Sequence, residues 1–176
     1  MRIRRLESHE VDLHRDIRLR ALRNAPDVFG EAAAEAEARP FSYWEDLTRS
    51  VTEPGRNVMF IACEGDTSWG STYGLRDREN GNAGRIGGTW VAPAHRRQGV
   101  GRALLQAVFS WGREHGFDRL RLWAPAASTA ALALYHQAGF ADTGHRRSLP
   151  TNAAVQLVEL ECKLTTQRAV TGREDR

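Results

Sequence analysis

Gly87-Gly88-Thr89-Trp90-Val91-Ala92-Pro93-Ala94-His95-Arg96-Arg97-Gln98-Gly99-Val100-Gly101-Arg102-Ala103-Leu104-Leu105 carries the densest signal in this chain. A strand ends at Pro93, a short basic loop follows, and two glycines open a helix. From Val100 the apolar residues fall at 100, 103, 104, 107, 108 and 111, a helical stripe. Glycine lets backbone approach a ligand closely because no Cβ intervenes. The first turn of a helix adds unpaired N–H groups and the positive end of the helix dipole. Together they make an anion site suited to a pyrophosphate, with Arg96, Arg97 and Arg102 supplying charge. A Walker loop would need a lysine after its last glycine, and none stands there. A dinucleotide fingerprint would need glycine or alanine where Leu104 stands. The pattern that fits is Q/R-x-x-G-x-G/A, filled by Arg96, Gly99 and Gly101.

Downstream, Gly116 closes the helix. Leu120, Leu122 and Ala124 alternate with Arg119, Arg121 and Trp123, which predicts a strand. Ser128 or Thr129 caps a helix with apolar positions at 131, 134, 135 and 138, ended by Gly139. Phe140 to Ser148 and Val155 to Leu164 read as an antiparallel pair turning around Pro150-Thr151-Asn152. Residues 165–176 have no apolar stripe and read as a frayed tail. Upstream, residues 2–6 form a strand, and helices are predicted over Val11 to Arg23, Glu31 to Arg39, and a segment capped by Ser42 through Val51. Val58 to Cys63 is apolar enough for a central strand. Glu64-Gly65-Asp66 turns into a strand from Ser68 to Leu75, and Asn80-Gly81-Asn82 separates that from the strand Arg85 to Ala92. The expected fold class is α/β: a mixed, largely antiparallel central sheet with helices on both faces, in one domain over residues 1–164.

The chain has 176 residues, 41% hydrophobic and 27% charged, enough for one self-sufficient core without disulfide or metal. Apolar runs reach only six residues, Val58 to Cys63 and Ala130 to Tyr135, against the ~20 a membrane-spanning helix needs. The basic start Met1 to Leu6 has no apolar h-region behind it, so a cytoplasmic protein is expected. Cys63 and Cys162 read as two buried free thiols. Lys+Arg minus Asp+Glu is 25 − 22 = +3, nearly all arginine, with Lys163 the single lysine. No aromatic–basic stripe or zinc-finger spacing points to nucleic acid, so a polyanionic small molecule is the expected partner, with no metal.

Taken together, three segments resemble the GNAT (GCN5-related) N-acetyltransferases over about residues 56 to 164. They are the strand–loop–helix above, the strand Leu120 to Ala124, and Ser128-Thr129-Ala130-Ala131-Leu132-Ala133-Leu134-Tyr135-His136-Gln137-Ala138-Gly139-Phe140, which is similar to N-x-x-A-x-x-x-Y-x-x-x-G-F. Leu19-Arg20-Ala21-Leu22 and Ala25 to Gly30 resemble the helical substrate-side region of many bacterial members. The resemblance implies an acetyl-CoA-dependent N-acetyltransferase acting on a primary amine of a small molecule or peptide. The amides of Arg96, Arg97, Gln98, Gly99, Val100, Gly101 and Arg102 would hold the pyrophosphate. Main-chain groups of Trp90 and Val91 would pair with the pantetheine arm, and the Val91 amide would polarise the thioester carbonyl. Tyr135 would protonate the leaving thiolate. Ser128 stands where the family usually has asparagine, and its hydroxyl would reach the same arm less far. Homodimers are common in the family. The alternative is a CoA-binding sensor or partner-binding module of the same fold without turnover.

Many members keep a glutamate on the strand that here reads Arg85 to Val91 without a carboxylate. Glu31, Glu35, Asp77 and Glu79 are the candidate bases, beside a water chain or an amine already partly neutral. His95 reads as a surface residue and His145 as facing either the acceptor or the structure. Trp123 is expected in the core; Trp44, Trp69 and Tyr73 are divided between core and acceptor cleft.

Overall fold

The computed structural model describes residues 1–55, 57–77 and 81–164. The predicted tail and Glu79 lie outside them. Among the described residues, seven strands form one sheet in the order β1-β2-β3-β4-β5-β7-β6. They are β1 (Arg2–Arg5), β2 (Val58–Glu64), β3 (Thr67–Arg76), β4 (Ala83–Val91), β5 (Arg119–Pro125), β6 (Ala141–Leu149) and β7 (Asn152–Lys163). Every neighbouring pair is antiparallel except β4 and β5, which run parallel because helix α4 (Val100–Glu114) carries the chain back between them. Helices α1 (Val11–Asn24), α2 (Ala33–Glu37) and α3 (Phe41–Thr52) precede β2, and α5 (Thr129–Gln137) joins β5 to β6.

Strand alternation sends one set of side chains to each face, and each face has its own core. Phe60, Ala62, Ile86, Leu120 and Leu122 pack with Val100, Leu104, Val108 and Trp111 of α4 and with Tyr135 of α5. Met59, Ile61 and Trp90 pack with Ile17 and Leu22 of α1 and Trp44 of α3. The continuous apolar run of β2 serves both faces, which is why it reads as a central strand.

Three local expectations need correction. Helix α2 is only five residues, not the whole of Glu31 to Arg39: Glu31 turns instead to Arg18, 3.1 Å away. Helix α3 starts at Phe41 with Pro40 at its N-cap, so Ser42 does not cap it. Ser128 does sit at the N-cap of α5 but makes no side-chain capping bond.

One buried polar group belongs to the second core. His14 is fully buried; its Nδ1 lies 2.9 Å from Thr48 Oγ1 and its Nε2 2.7 Å from the Tyr73 hydroxyl. Burial, with Arg18 nearby, pushes the imidazole down to about 4. An unfolded chain titrates the same group near 6.5, so between these values the unfolded state holds a proton that the fold does not. The stability carried by neutral His14 is therefore complete above about pH 6.5. It is lost as pH falls toward 4, at up to ~1.4 kcal/mol per pH unit. Thermal melts from pH 4.5 to 6.5 should show this slope in the wild type and a shallower one in His14→Gln. Equal slopes would mean that His14 is protonated in the fold.

Candidate active site

Strands β4 and β5 are joined only from Ala83 opposite Arg119 to Ile86 opposite Leu122. Beyond that point β4 runs on to Val91 and β5 to Pro125 without pairing, and the sheet opens between two parallel strands. The opening begins where β4 carries a bulge: Ser71 faces Trp90 but Tyr73 faces Gly87, so β4 has one residue more than β3 there. Gly88 takes φ +56° within the bulge, and a Cβ on it would lie 2.4 Å from the Tyr73 ring. Glycine is required there on both counts.

After the bulge the hydrogen-bond alternation fixes which main-chain groups are free. The Ala92 amide donates to Trp69 O at 2.6 Å. Alternate residues of an antiparallel strand face the same neighbour, so Trp90 also turns its main-chain groups to β3, opposite Ser71. Val91 turns its N–H the other way, into the opening. This separates two residues the sequence treated alike: Val91 offers its amide to the gap, whereas the main chain of Trp90 is spent within the sheet. The Trp90 indole donates to Asn24 Oδ1 at 3.2 Å.

The basic loop follows through a 3-10 turn, Pro93–His95. Arg97 sits at φ +63° and Gly99, the N-cap of α4, at φ +81°. Two left-handed residues so close turn the chain sharply and point the first-turn amides of α4 outward. Nothing lies within 4 Å of a Cβ placed on Gly99, so the space over the helix start is open. Arg97, Gln98 and Arg102 are exposed. Arg96 differs: its Nε donates to Val91 O at 3.0 Å, its Nη2 to Asn24 Oδ1 at 2.5 Å, and its amide to Pro93 O. Although exposed, it is tied down by these bonds and braces the loop against β4 and the end of α1. Asn24, at the end of α1, was not legible as a site residue, since only the tertiary fold brings it 72 positions along the chain to Arg96.

Gly101 faces α5, where a Cβ would stand 3.0 Å from Leu134. Its lack of a side chain serves helix packing as well as any ligand. On the same side Tyr135 is buried, edge-on to Phe140 at 5.8 Å between centroids. Its hydroxyl is met by the side chain of Thr89, which in turn shares a hydrogen bond of 2.8 Å with the fully buried Thr72. Burial pushes the phenol above its ordinary value, with the Thr89 bond opposing, so the hydroxyl holds its proton at neutral pH. Ser128 is half-buried with its hydroxyl uncommitted to the helix cap.

The opposite face of the opening is a cleft of about 730 Å³ lined by Tyr73, Arg85, Gly87, Gly88, Trp123 and Arg147, with Glu31 and Asp77 among its further residues. Trp123 is half-buried in this cleft and not in the core as expected, because it points to the face opposite Leu122. Trp44 is core, Trp69 stacks on His95 at 4.2 Å, and Tyr73 lines the cleft. His145 pairs with Glu159 at 2.7 Å in a separate hollow on β5, β6 and β7. Of the candidate bases, Glu31 is paired with Arg18, Asp77 is buried and engaged, and Glu35 is exposed on α2 away from the cleft. No group of three or more His, Cys, Asp or Glu among the described residues is arranged to hold a metal ion. No helix among them is long and apolar enough to cross a membrane.

Comparison with known proteins meets this geometry. Aminoglycoside N(6')-acetyltransferase type 1 of Stenotrophomonas maltophilia is 31% identical over 130 residues, 64% of this chain and 82% of that protein. Mycothiol acetyltransferase of Thermobispora bispora is 31% identical over 143 residues, 73% of this chain but only 48% of that protein, so the chain spans about half its length. Among solved structures, a GNAT-family acetyltransferase from Streptococcus pneumoniae superposes with a TM-score of 0.76 at 16% identity, covering 93% of this chain and 98% of that one. The yncA protein of Salmonella typhimurium, solved with its cofactor acetyl-CoA, gives 0.74 at 18% identity and 96% of both chains. Residues 19–140 match the acetyltransferase (GNAT) family, and with this span of sequence and this sheet the chain belongs to that family.

Proposed function

We propose that residues 1–164 form one acetyl-CoA-dependent N-acetyltransferase domain that moves an acetyl group to a primary amine by direct attack in a ternary complex. The observation that carries this reading is the opening between β4 and β5. It has the Val91 amide on its rim, Tyr135 on one face of the sheet and the cleft on the other. Relatives named for acetyl transfer to amines, and a neighbour holding acetyl-CoA, support it.

The residues present fit acetyl-CoA. The open, left-handed loop at Arg97 to Gly99 and the first-turn amides of α4 suit its pyrophosphate, and the Ser128 hydroxyl, not used in capping α5, would be available to its arm. Bound there, it supplies an acyl group activated as a thioester. Val91 donates its N–H to the carbonyl oxygen as negative charge grows on it, which lowers the barrier to attack. The cleft holds the amine at near-attack distance on the other side. As the C–N bond forms and the C–S bond breaks, Tyr135 gives its proton to the departing sulfur. The amine leaves its own surplus proton to water, and the Tyr135 phenolate takes a proton back from water to complete the cycle.

With no carboxylate on β4, no single acid is expected to be indispensable. Glu31→Gln, Glu35→Gln, Asp77→Asn and Glu79→Gln should each lose far less than the ~10²–10⁴-fold of a positioned base. In the wild type, kcat/KM should rise with pH along the free amine's titration. One variant losing about a thousand-fold in kcat would identify a dedicated base.

The test of the whole reading is CoA release from acetyl-CoA against a panel of amines, with the product weighed by mass spectrometry. Binding of acetyl-CoA without release for any amine would leave the non-catalytic module instead. The cofactor site has its own check in Gly99→Val, the cleaner variant because Gly101 is confounded by Leu134. The wild type should gain melting temperature as acetyl-CoA is added. Gly99→Val should fold with ~1–2 kcal/mol less stability from its left-handed residue and lose that gain. An undiminished gain would overturn the assignment.

A further inference from the structure

Arg85 on β4 and Arg147 on β6 both line the cleft, and among the described residues neither guanidinium has a hydrogen bond or a carboxylate partner. Other cationic groups in the cleft are engaged. Arg18 is paired with Glu31, and Arg76 donates its Nε to Gly55 O at 3.0 Å and lies over the Phe117 ring. Arg147 rests on the face of Trp123, 4.3 Å from the ring centroid, and the buried indole N–H of Trp123 also lacks a partner. The carboxylate acting on Arg147, Glu159, already accepts His145 Nδ1 at 2.7 Å and Thr143 Oγ1 at 3.0 Å.

Two like charges thus line one cleft, each without an ion pair among the described residues. Desolvation and the charge of Arg85 both weigh against the proton on Arg147, which pulls it below the usual guanidinium range. Such a pair is relieved by an oxyanion that accepts from both planar forks. It repels an acceptor made only of ammonium groups.

Resting on the transferase reading above, we infer that the acceptor is a primary amine carrying an oxyanion, a carboxylate or a phosphate, that Arg85 and Arg147 hold over Trp123 while the amino group reaches the opening beside Gly87 and Gly88. The substrate class therefore differs from the aminoglycosides named for the relative from Stenotrophomonas maltophilia.

The experiment uses matched acceptors: amino acids, the amines left when their carboxylate is replaced by hydrogen, aminoalkyl phosphates, and an aminoglycoside. Loss of the oxyanion should lower kcat/KM by roughly 10- to 150-fold, the scale of a hydrogen bond to a charged group. The preferred one of the first and third sets identifies which oxyanion is bound. Arg147→Gln and Arg85→Gln should each bring the oxyanion-bearing and oxyanion-free amines within about threefold of one another. Both variants should keep the wild-type rise in melting temperature with acetyl-CoA. Wild-type enzyme that acetylates oxyanion-free amines or the aminoglycoside as well as the others overturns the inference and leaves the transferase reading standing. So does a preference that survives both substitutions. Absence of acetyl transfer to every amine overturns both.

Discussion

Tyr135→Phe is expected to fold and to bind acetyl-CoA as the wild type does while its turnover falls by roughly ten- to a thousand-fold. The ring is what the core uses: it packs edge-on to Phe140 and sits in the cluster that unites α4 and α5 with the sheet. Removing the oxygen leaves Thr89 with its bond to Thr72, so no buried donor is stranded. What is lost is one acidic proton beside the opening. Burial raises that phenol, so it stays protonated through the neutral range and its proton is available to the departing sulfur. The comparison is kcat, KM and acetyl-CoA affinity for wild type and variant with the true acceptor. A drop in kcat at unchanged affinity assigns the proton to Tyr135. A kcat within a factor of about two makes the residue a packing element, or places the slow step elsewhere.

The parts of the site read from sequence are those built from neighbours in the chain. The strand–loop–helix from Gly87 to Leu105 declares itself through a period and two glycines, and Tyr135 through its place in a local segment. Even there, the direction a side chain takes was not legible. Arg96 and Arg97 look equivalent as text, yet the first is tied by hydrogen bonds to Val91 O and Asn24. Trp123 is apolar by type, and only strand alternation around the buried Leu122 turns it to the cleft. The His14–Tyr73 bond joins residues 59 positions apart, and Arg85 and Arg147 meet in one cleft from 62 positions apart; no local pattern reports such proximity. Helix ends are hidden from the sequence for a related reason. Glu31 and Ser42 have suitable propensities, but tertiary pairing and Pro40 set the boundaries.

Gly88→Ala is expected to damage stability and catalysis together, because the bulge that opens the sheet depends on a position without a side chain. The left-handed backbone alone costs an alanine ~1–2 kcal/mol. The new methyl would also stand 2.4 Å from the Tyr73 ring. That ring cannot retreat freely, since its hydroxyl is held 2.7 Å from buried His14. Either the ring moves and strands the imidazole, or the bulge straightens and returns β4 to regular alternation. A straightened strand would turn the Val91 amide out of the opening, because a one-residue slip reverses which groups face each neighbour. The expected loss is ~3 kcal/mol in all, or roughly 6–12 °C in melting temperature for a domain of this size. A fall of at least ~100-fold in kcat/KM should accompany it if the Val91 N–H is the oxyanion donor. Gly65→Ala is the control: its φ is +53°, but nothing lies within 4 Å of the added methyl, so it reports the conformational penalty alone. If Gly88→Ala melts and turns over like Gly65→Ala, the Tyr73 ring yields without consequence and the bulge does not set the catalytic amide. If its stability drops while kcat/KM holds, the amide that matters is not that of Val91.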